Sequence, residues 1–244
     1  MLSYYQQEVR LRGHAFTLYM SSQLFIPNAT TTRFSRFVDG LEGACVFDIG
    51  TGVGPLAIWA AKKGAREVHA VDPVEEQIEL ARRNIHLNCL DNIVHAYQGD
   101  LFSPLEGNGI KADIIIGDVS GIPDKAARAL GWYPPGVPTG GEDGTDVIRA
   151  LIERSPRFLA ENGTLFFPMA IDMSDYGRIR ETSRNCFESV TQVSDISLPL
   201  TPEQILAIEQ AYNGTLPDFI RPQKSASGRL MFKGEFYKAS KPKL

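Results

Sequence analysis

Three cysteines are too few and too far apart to organise this chain. Cys45, Cys89 and Cys186 are odd in number and widely spaced, which argues against a disulfide framework and against a structural zinc site. Long uncharged apolar runs are also missing, so no segment has the length a membrane span needs. Met1 to Arg12 mixes Tyr, Gln, Glu and Arg before any apolar stretch and reads as neither a signal peptide nor an anchor. The expected location is therefore the cytoplasm, without a membrane partner. Positive charge is in no excess, because 25 Lys and Arg stand against 29 Asp and Glu for a net −4. No overall field draws the chain to phosphate backbones, and nucleic acid is not the expected partner. The histidines, His14, His69, His86 and His95, are dispersed, so no metal site is expected.

What is present is an ordinary globular composition, 43% hydrophobic, in 244 residues, enough for one substantial core. Phe16, Leu18, Leu24, Phe25 and Ile26 suggest a short extended segment ending at Pro27, with a helix over Thr31 to Val38 broken by Gly40. From Cys45 the pattern alternates. Strands are expected at Cys45 to Ile49, Val68 to Val71, Ile93 to Tyr97, Ala112 to Ile116 and Leu165 to Pro168. Helices are expected at Pro55 to Lys63, after Pro73 through Ile85, at Lys125 to Leu130, from about Thr145 to Leu159, and at Tyr176 to Cys186. The rest of Pro123 to Gly141, including Pro134–Pro135, reads as a loop. Glu188 to Ser197 and Arg229 to Tyr237 read as two late strands. Between them an insertion of about residues 198–228 carries its own helix from Thr201 to about Tyr212, and Lys238 to Leu244 reads as a frayed tail. This alternation implies a doubly wound α/β fold, a mostly parallel sheet with helices on both faces, whose ligands meet the carboxyl ends of the strands. Residues 1–43 are expected to pack near the active site of a single domain spanning 44–244.

The sharpest local signal is Asp48-Ile49-Gly50-Thr51-Gly52-Val53-Gly54, directly after a strand and before a helix. Glycines let the backbone of such a turn lie against a ligand where a β-carbon would collide. The spacing is Gly-x-Gly-x-Gly, and Pro55 follows where the dinucleotide fingerprint has its third glycine, which disfavours a nicotinamide dehydrogenase. Asp48 repels a pyrophosphate and welcomes an amino group. Asp72, ending the second strand, is placed to accept ribose hydroxyls or to cap the helix after Pro73. Asp100, with Leu101 and Phe102 behind it, is placed to accept from an adenine amino group while one of these side chains packs on the ring.

These stretches resemble the class I S-adenosylmethionine-dependent methyltransferases, and within them the release-factor glutamine methyltransferases. Val46 to Gly54 is similar to their first motif, Ala70-Val71-Asp72 to their second and Gly99-Asp100-Leu101-Phe102 to their adenine-side segment. Leu24 to Thr32 and Gly140 to Ile148 are similar to the segments before the core and before the helix that precedes the fifth strand. The resemblance implies a seven-stranded sheet with an antiparallel last strand and S-adenosyl-L-methionine as cofactor. It implies that Gly50, Thr51, Gly52 and Gly54 hold the methionine portion beside Asp48, that Asp72 holds the ribose, and that Asp100 holds the adenine. The N-terminal helical domain of the release-factor enzymes has no counterpart before the glycine loop, and the insertion is expected near the substrate.

The chain departs from that family at its catalytic strand. Where the family has Asn-Pro-Pro-Tyr, this sequence has Asp118-Val119-Ser120-Gly121. An ionised carboxylate only accepts hydrogen bonds, so Asp118 favours a substrate bearing protons and positive charge over a neutral amide, and it is the expected catalytic residue. The stacking group must come from elsewhere, with Trp132, Tyr133 and the insertion as candidates. Ser120, Tyr133, Glu142 and His14 complete the expected substrate contacts, while Asp143 is an equally good helix cap. Thr30, Thr31 and Thr32 stand where the family carries Glu-Thr-Glu. The expected reaction is direct methyl transfer to a nitrogen of a small cationic metabolite, an amine or guanidine. Methylation of a protein glutamine or of RNA, and a non-catalytic cofactor-binding protein, are the alternatives. Oligomeric state is left open by the sequence.

Overall fold

A computed structural model describes residues 3–133 and 136–243; the Pro134–Pro135 part of the expected loop lies outside them. Chain order is β1 (Tyr5–Leu11), β2 (His14–Met20), α1 (Ala29–Phe37), β3 (Cys45–Ile49), α2 (Pro55–Lys62), β4 (Glu67–Asp72), α3 (Glu75–Leu87), β5 (Val94–Gln98) and β6 (Ala112–Gly117). It continues with α4 (Asp124–Ala129), α5 (Asp146–Arg154), β7 (Leu159–Met169), α6 (Tyr176–Cys186), β8 (Phe187–Pro199), α7 (Pro202–Ala211), β9 (Gln223–Lys224) and β10 (Leu230–Pro242).

Among the described residues, seven strands run in the order β5-β4-β3-β6-β7-β10-β8, and the two-residue β9 adds beside β10. Strands β3 to β7 are mutually parallel, whereas β10 is antiparallel to both β7 and β8. This is the doubly wound sheet the alternation predicts. Strand β3 is buried along its whole length, as a central strand covered on both faces must be. Val46 faces one core with Ile58, Trp59 and Ile85 from α2 and α3, and Phe47 faces the other with Ile148, Leu151 and Ile152 from α5.

Four elements differ from expectation. The N-terminal segment is an antiparallel hairpin, β1 with β2, turned at Gly13 with φ +80°. Its alternating Phe16, Leu18 and Met20 are buried against the α2 and α3 side of the core, and Asn84 of α3 bonds both the N–H and the carbonyl of Tyr19. Helix α5 stops at Arg154, because Pro156 follows and the chain tightens into a 3₁₀ turn over Ser155–Arg157. Strand β7 then starts early, at Leu159, and slips register between Ala112 and Ile114, where Glu161-Asn162-Gly163 is accommodated. Finally, Lys238 to Pro242 is strand, with Ala239 fully buried between β7 and β8. Lys238 faces away from Ala239, as the period of 2 requires, and Lys241 leaves the regular strand conformation with φ +57°.

Candidate active site

The carboxyl ends of β3, β4 and β6 and the turn after β5 open on one cavity of about 610 Å³. Its donor-side wall is Ile49, Gly50, Gly52, Asp72, Asp100 and Leu101.

Asp48 lies beneath this wall, fully buried. Its Oδ2 accepts from Thr51 Oγ1 at 2.6 Å, while Oδ1 has no donor. Burial pushes its carboxyl up to about 7, against the pull of the Thr51 hydroxyl. The loop then turns through left-handed Gly50 (φ +79°) and Gly52 (φ +56°). A β-carbon on Gly50 would stand 2.9 Å from Val119 Cγ1 and 3.1 Å from the Asp118 carbonyl, so the glycine loop is backed directly against the end of β6. Asp72 ties the glycine loop to the start of the segment that leads into α3. Its Oδ2 accepts from the Gly52 N–H at 2.9 Å and its Oδ1 from the Val74 N–H at 3.0 Å, yet it remains on the cavity wall. Burial raises it to about 6 despite these two bonds.

Several expected donor-side residues sit differently. Gly54 does not line the cavity; its left-handed backbone (φ +90°) lets α2 start against Ala81 of α3, 3.5 Å from where a β-carbon would be. Thr51 turns to Asp48 and faces an adjoining void of about 20 Å³ instead of the main cavity. Phe102 is fully buried and stacked on Phe158 at 4.5 Å, leaving Leu101 as the apolar side chain on the wall. Asp100 reaches the cavity, though its Oδ2 is held by Arg154 Nη1 at 3.1 Å. Gln77, unforeseen from the sequence, lines the cavity from the first turns of α3 with only 1% of its surface exposed and no donor for Oε1. The one available signal was a glutamine on the face otherwise occupied by Ile78, Ala81 and Ile85.

The opposite wall centres on Asp118. Its Oδ2 accepts from Thr31 Oγ1 at 2.8 Å, and burial raises it to about 6 while that bond opposes the shift. Thr31 is brought there by Asn28, which caps α1 by accepting from the Thr30 and Thr31 N–H groups. Tyr133 stacks on Phe25 with ring centroids 5.4 Å apart and planes 20° from parallel. Burial lifts the Tyr133 phenol to about 12, and a hydrogen bond with Ser120 opposes that shift. The structure thus brings Asp118, Ser120, Tyr133 and Trp132 to one cavity.

Two expected substrate contacts are not there. His14 sits beside the hairpin turn with Nδ1 3.4 Å from the Arg12 carbonyl. Glu142 lies in a loop that closes on itself, where Asp124 takes the Thr139 hydroxyl and the Gly141 N–H. Neither lines the cavity. Asp143 binds the Thr145 N–H and hydroxyl and Arg178, so it serves as a loop brace and is held below the ordinary carboxylate range by these partners, which outweigh its burial.

Strand β10 and the insertion supply residues the sequence did not single out. Glu235, 8% exposed, lines the cavity and is held by Lys233 Nζ at 3.2 Å and the Tyr237 hydroxyl at 2.5 Å. Leu198, Pro199 and Gln204 reach the same space. Helix α7 is seated by Ile208 in an apolar cluster with Ile122, Ala126 and Ala127, and a capping box at Thr201 and Gln204 fixes its start.

The donor side fits S-adenosylmethionine on its own chemistry. Gln77 Oε1, on the cavity wall beside the glycine loop, is a buried acceptor without a donor among the described residues, and an unmet acceptor of this kind is costly. An ammonium or a sugar hydroxyl would satisfy it. The carboxylates of Asp72 and Asp118 on the cavity wall, with that of Asp48 beneath it, suit a cation and repel a pyrophosphate.

Comparison with known proteins agrees. The family model of ribosomal protein L11 methyltransferase matches residues 31–130. The release factor glutamine methyltransferase of Bacillus cereus is 32% identical over 142 residues, covering 56% of this chain and 50% of that protein. The ribosomal protein L11 methyltransferase of Thermoanaerobacter sp. is 34% identical over 161 residues, covering 65% of this chain and 43% of that protein. The chain thus spans about half the length of these curated relatives. Among solved structures, the T. thermophilus 16S rRNA N2 G1207 methyltransferase, in complex with AdoMet and guanosine, superposes with a TM-score of 0.63 at 17% identity, over 99% of this chain and 51% of that one.

The chain has the class I S-adenosylmethionine-dependent methyltransferase fold and is related to release-factor and ribosomal-protein methyltransferases, with neither family singled out. The expectation of a small cationic metabolite, with nucleic acid set aside, is overturned by these matches. The proteins matched act on release factor or ribosomal protein L11, and the solved structures with this fold include rRNA and tRNA methyltransferases.

Proposed function

We propose that the protein transfers a methyl group from S-adenosylmethionine to a nitrogen of a protein side chain. The observation that carries this reading is the contact of the glycine loop with the end of β6, which sets Gly50 against the Asp118 backbone and leaves the half-buried Asp118 side chain on the wall of the same cavity. Bound there, the cofactor would supply a methyl group activated on a sulfonium.

Each residue has a definable task. Asp72 would accept from the ribose hydroxyls, and Asp100 with Leu101 would hold the adenine. Gln77 would receive donors of the amino-acid end, beside the loop that Asp48 braces through Thr51. On the acceptor side Asp118 would accept an N–H of the incoming group, orienting the nitrogen lone pair toward the methyl and drawing off positive charge as it develops. Tyr133, stacked on Phe25, takes the place of the tyrosine missing from the strand-end motif. Residues 1–43, which contribute Phe25, Asn28 and Thr30 to the wall, and the insertion at 198–228 are the natural acceptor-recognition elements of the domain.

A protein acceptor is favoured over RNA on two grounds. The relatives at 32–34% identity are protein methyltransferases, and the net charge of −4 offers no general attraction for phosphate. Incubation with labelled cofactor and a cell extract of the source organism tests the proposal. Label in protease-sensitive, nuclease-resistant material supports it; label removed by nuclease refutes a protein acceptor.

A further inference from the structure

Dispersal of the histidines along the sequence hides a cluster that the sheet assembles. Cys45 begins β3 and pairs in register with Glu67, which begins β4, while His69 and His95 are partners on β4 and β5. The parallel strands thereby put a thiol, a carboxylate and two imidazoles on one face at their amino ends, the edge of the sheet opposite the cofactor cavity. Sγ of Cys45, a carboxylate oxygen of Glu67 and a ring nitrogen of His69 lie within 4.8 Å of one another.

We propose that Cys45, Glu67 and His69 form a binding site for a borderline-soft divalent cation of the zinc class, with His95 next in reach for the fourth position. Cys45 and His69 are each 1% exposed, so neither is there as a solvated polar group. His69 Nε2 is 3.2 Å from Glu67 Oε1, yet it is not aligned for a hydrogen bond and has no other partner. A carboxylate oxygen and a ring nitrogen at this separation have the spacing of two ligands on one ion. The other ring nitrogen, Nδ1, is 3.3 Å from the Tyr97 hydroxyl, and a partner there is what commonly fixes the tautomer and orientation of a metal-binding imidazole. Phe47, edge-on at 5.2 Å, and Tyr97, stacked at 5.8 Å, hold the ring in place.

The donor set suits the ion. Thiolate, imidazole and carboxylate together select zinc over magnesium or calcium, and the thiolate and carboxylate neutralise its two charges, the thiol proton being released on binding. Ligand bonds of roughly 2.0–2.3 Å place neighbouring ligand atoms roughly 3.3–3.6 Å apart, so adjustments of about 1 Å close the site. His95 Nε2 is 3.9 Å from Glu67 Oε1 and its side chain is partly exposed, free to turn inward or to yield to water. Asp113 is not counted, because it receives the Cys45 N–H at 2.8 Å. Such an ion would tie together the amino ends of β3, β4 and β5, a structural task independent of methyl transfer.

The test is a titration of chelator-treated full-length protein with cobalt(II), read by the thiolate-to-cobalt charge-transfer band and the tetrahedral d–d bands. One equivalent should bind with both signals. Cys45→Ser should remove the charge-transfer band and weaken binding at least tenfold, and His69→Gln should also weaken it at least tenfold. Cys89→Ser and Cys186→Ser should leave the spectrum unchanged. Zinc should raise the melting temperature of wild type and leave that of Cys45→Ser unmoved. Absence of a charge-transfer band in wild type overturns the proposal without recourse to any variant, as does a band that persists in Cys45→Ser.

Discussion

The two walls of the cavity are built by different rules. On the donor side, short-range features do the positioning: a strand end, two left-handed glycines and a carboxylate that braces the loop and holds the Val74 N–H ahead of α3 lie within 25 residues, Asp48 to Asp72. On the acceptor side the pieces come from distant parts of the chain. Thr31, Asp118, Tyr133, Gln204 and Glu235 are joined only by tertiary packing. A local site can stay constant across a family while a composite one is changed a piece at a time. The chain keeps the first and rebuilds the second.

That contrast also explains what the sequence could disclose. Asp48, Gly50, Gly52 and Asp72 could be placed together because one turn has one geometry, and the mostly parallel sheet followed from alternation, though its strand order did not. Tyr133 was legible only as one of several aromatics, since nothing local says that a loop after α4 will stack on Phe25. His14 and Glu142 were misplaced because a hairpin and a self-bonded loop draw them away, and both depend on pairings across the fold. Phe102 was misassigned for a related reason: neighbouring side chains after β5 point opposite ways, so Leu101 meets the cavity while Phe102 meets Phe158. The last strand was cut short because Lys238, Lys241 and Lys243 give its end the composition of a solvated tail and leave Ala239 as its one fully buried residue.

The comparison can be broken most forcefully where the walls touch. Gly50→Ala forces a side chain into left-handed backbone, costing roughly 1–2 kcal/mol, and drives a β-carbon into Val119. It should damage both halves at once, weakening cofactor binding measured by calorimetry and reducing turnover by more than the tenfold that strain alone explains. Asp118→Asn should separate them: turnover falls by about 10²–10⁴ if the carboxylate assists as a base, with cofactor affinity unchanged. A matching loss of cofactor affinity would mean that Asp118 belongs to the donor wall.

Asp72→Asn should do the reverse. Weakened charge-assisted bonds to the Gly52 and Val74 N–H groups, each worth about 1.5–3 kcal/mol when intact, should loosen cofactor binding about tenfold or more. Tyr133→Leu removes the stack on Phe25, and an aromatic pair worth about 0.5–1.5 kcal/mol predicts a KM for the acceptor raised roughly three- to tenfold with cofactor affinity intact. The smallest effects belong to Glu142→Gln and His14→Gln, which should leave both constants within about twofold.

The pH dependence follows from the raised carboxyls. Burial holds Asp48 protonated up to about 7 and Asp72 and Asp118 up to about 6, all above the ordinary value. Their contribution to stability is full below the ordinary carboxylate range and is lost as pH rises through 6 to 7. Cofactor-free protein should therefore melt lower at pH 8 than at pH 5 from these groups, and the gain in melting temperature on adding the cationic cofactor should grow over the same interval. A gain that shrinks with rising pH would contradict this electrostatic account.

The central claim is that donor and acceptor meet across the Gly50–Asp118 wall. It is tested most directly by a crystal structure of the protein with the demethylated cofactor, S-adenosylhomocysteine. The ribose is expected on Asp72 and the sulfur facing the space between Asp118 and Tyr133. A sulfur directed away from Asp118, or a ligand seated outside this cavity, would contradict it.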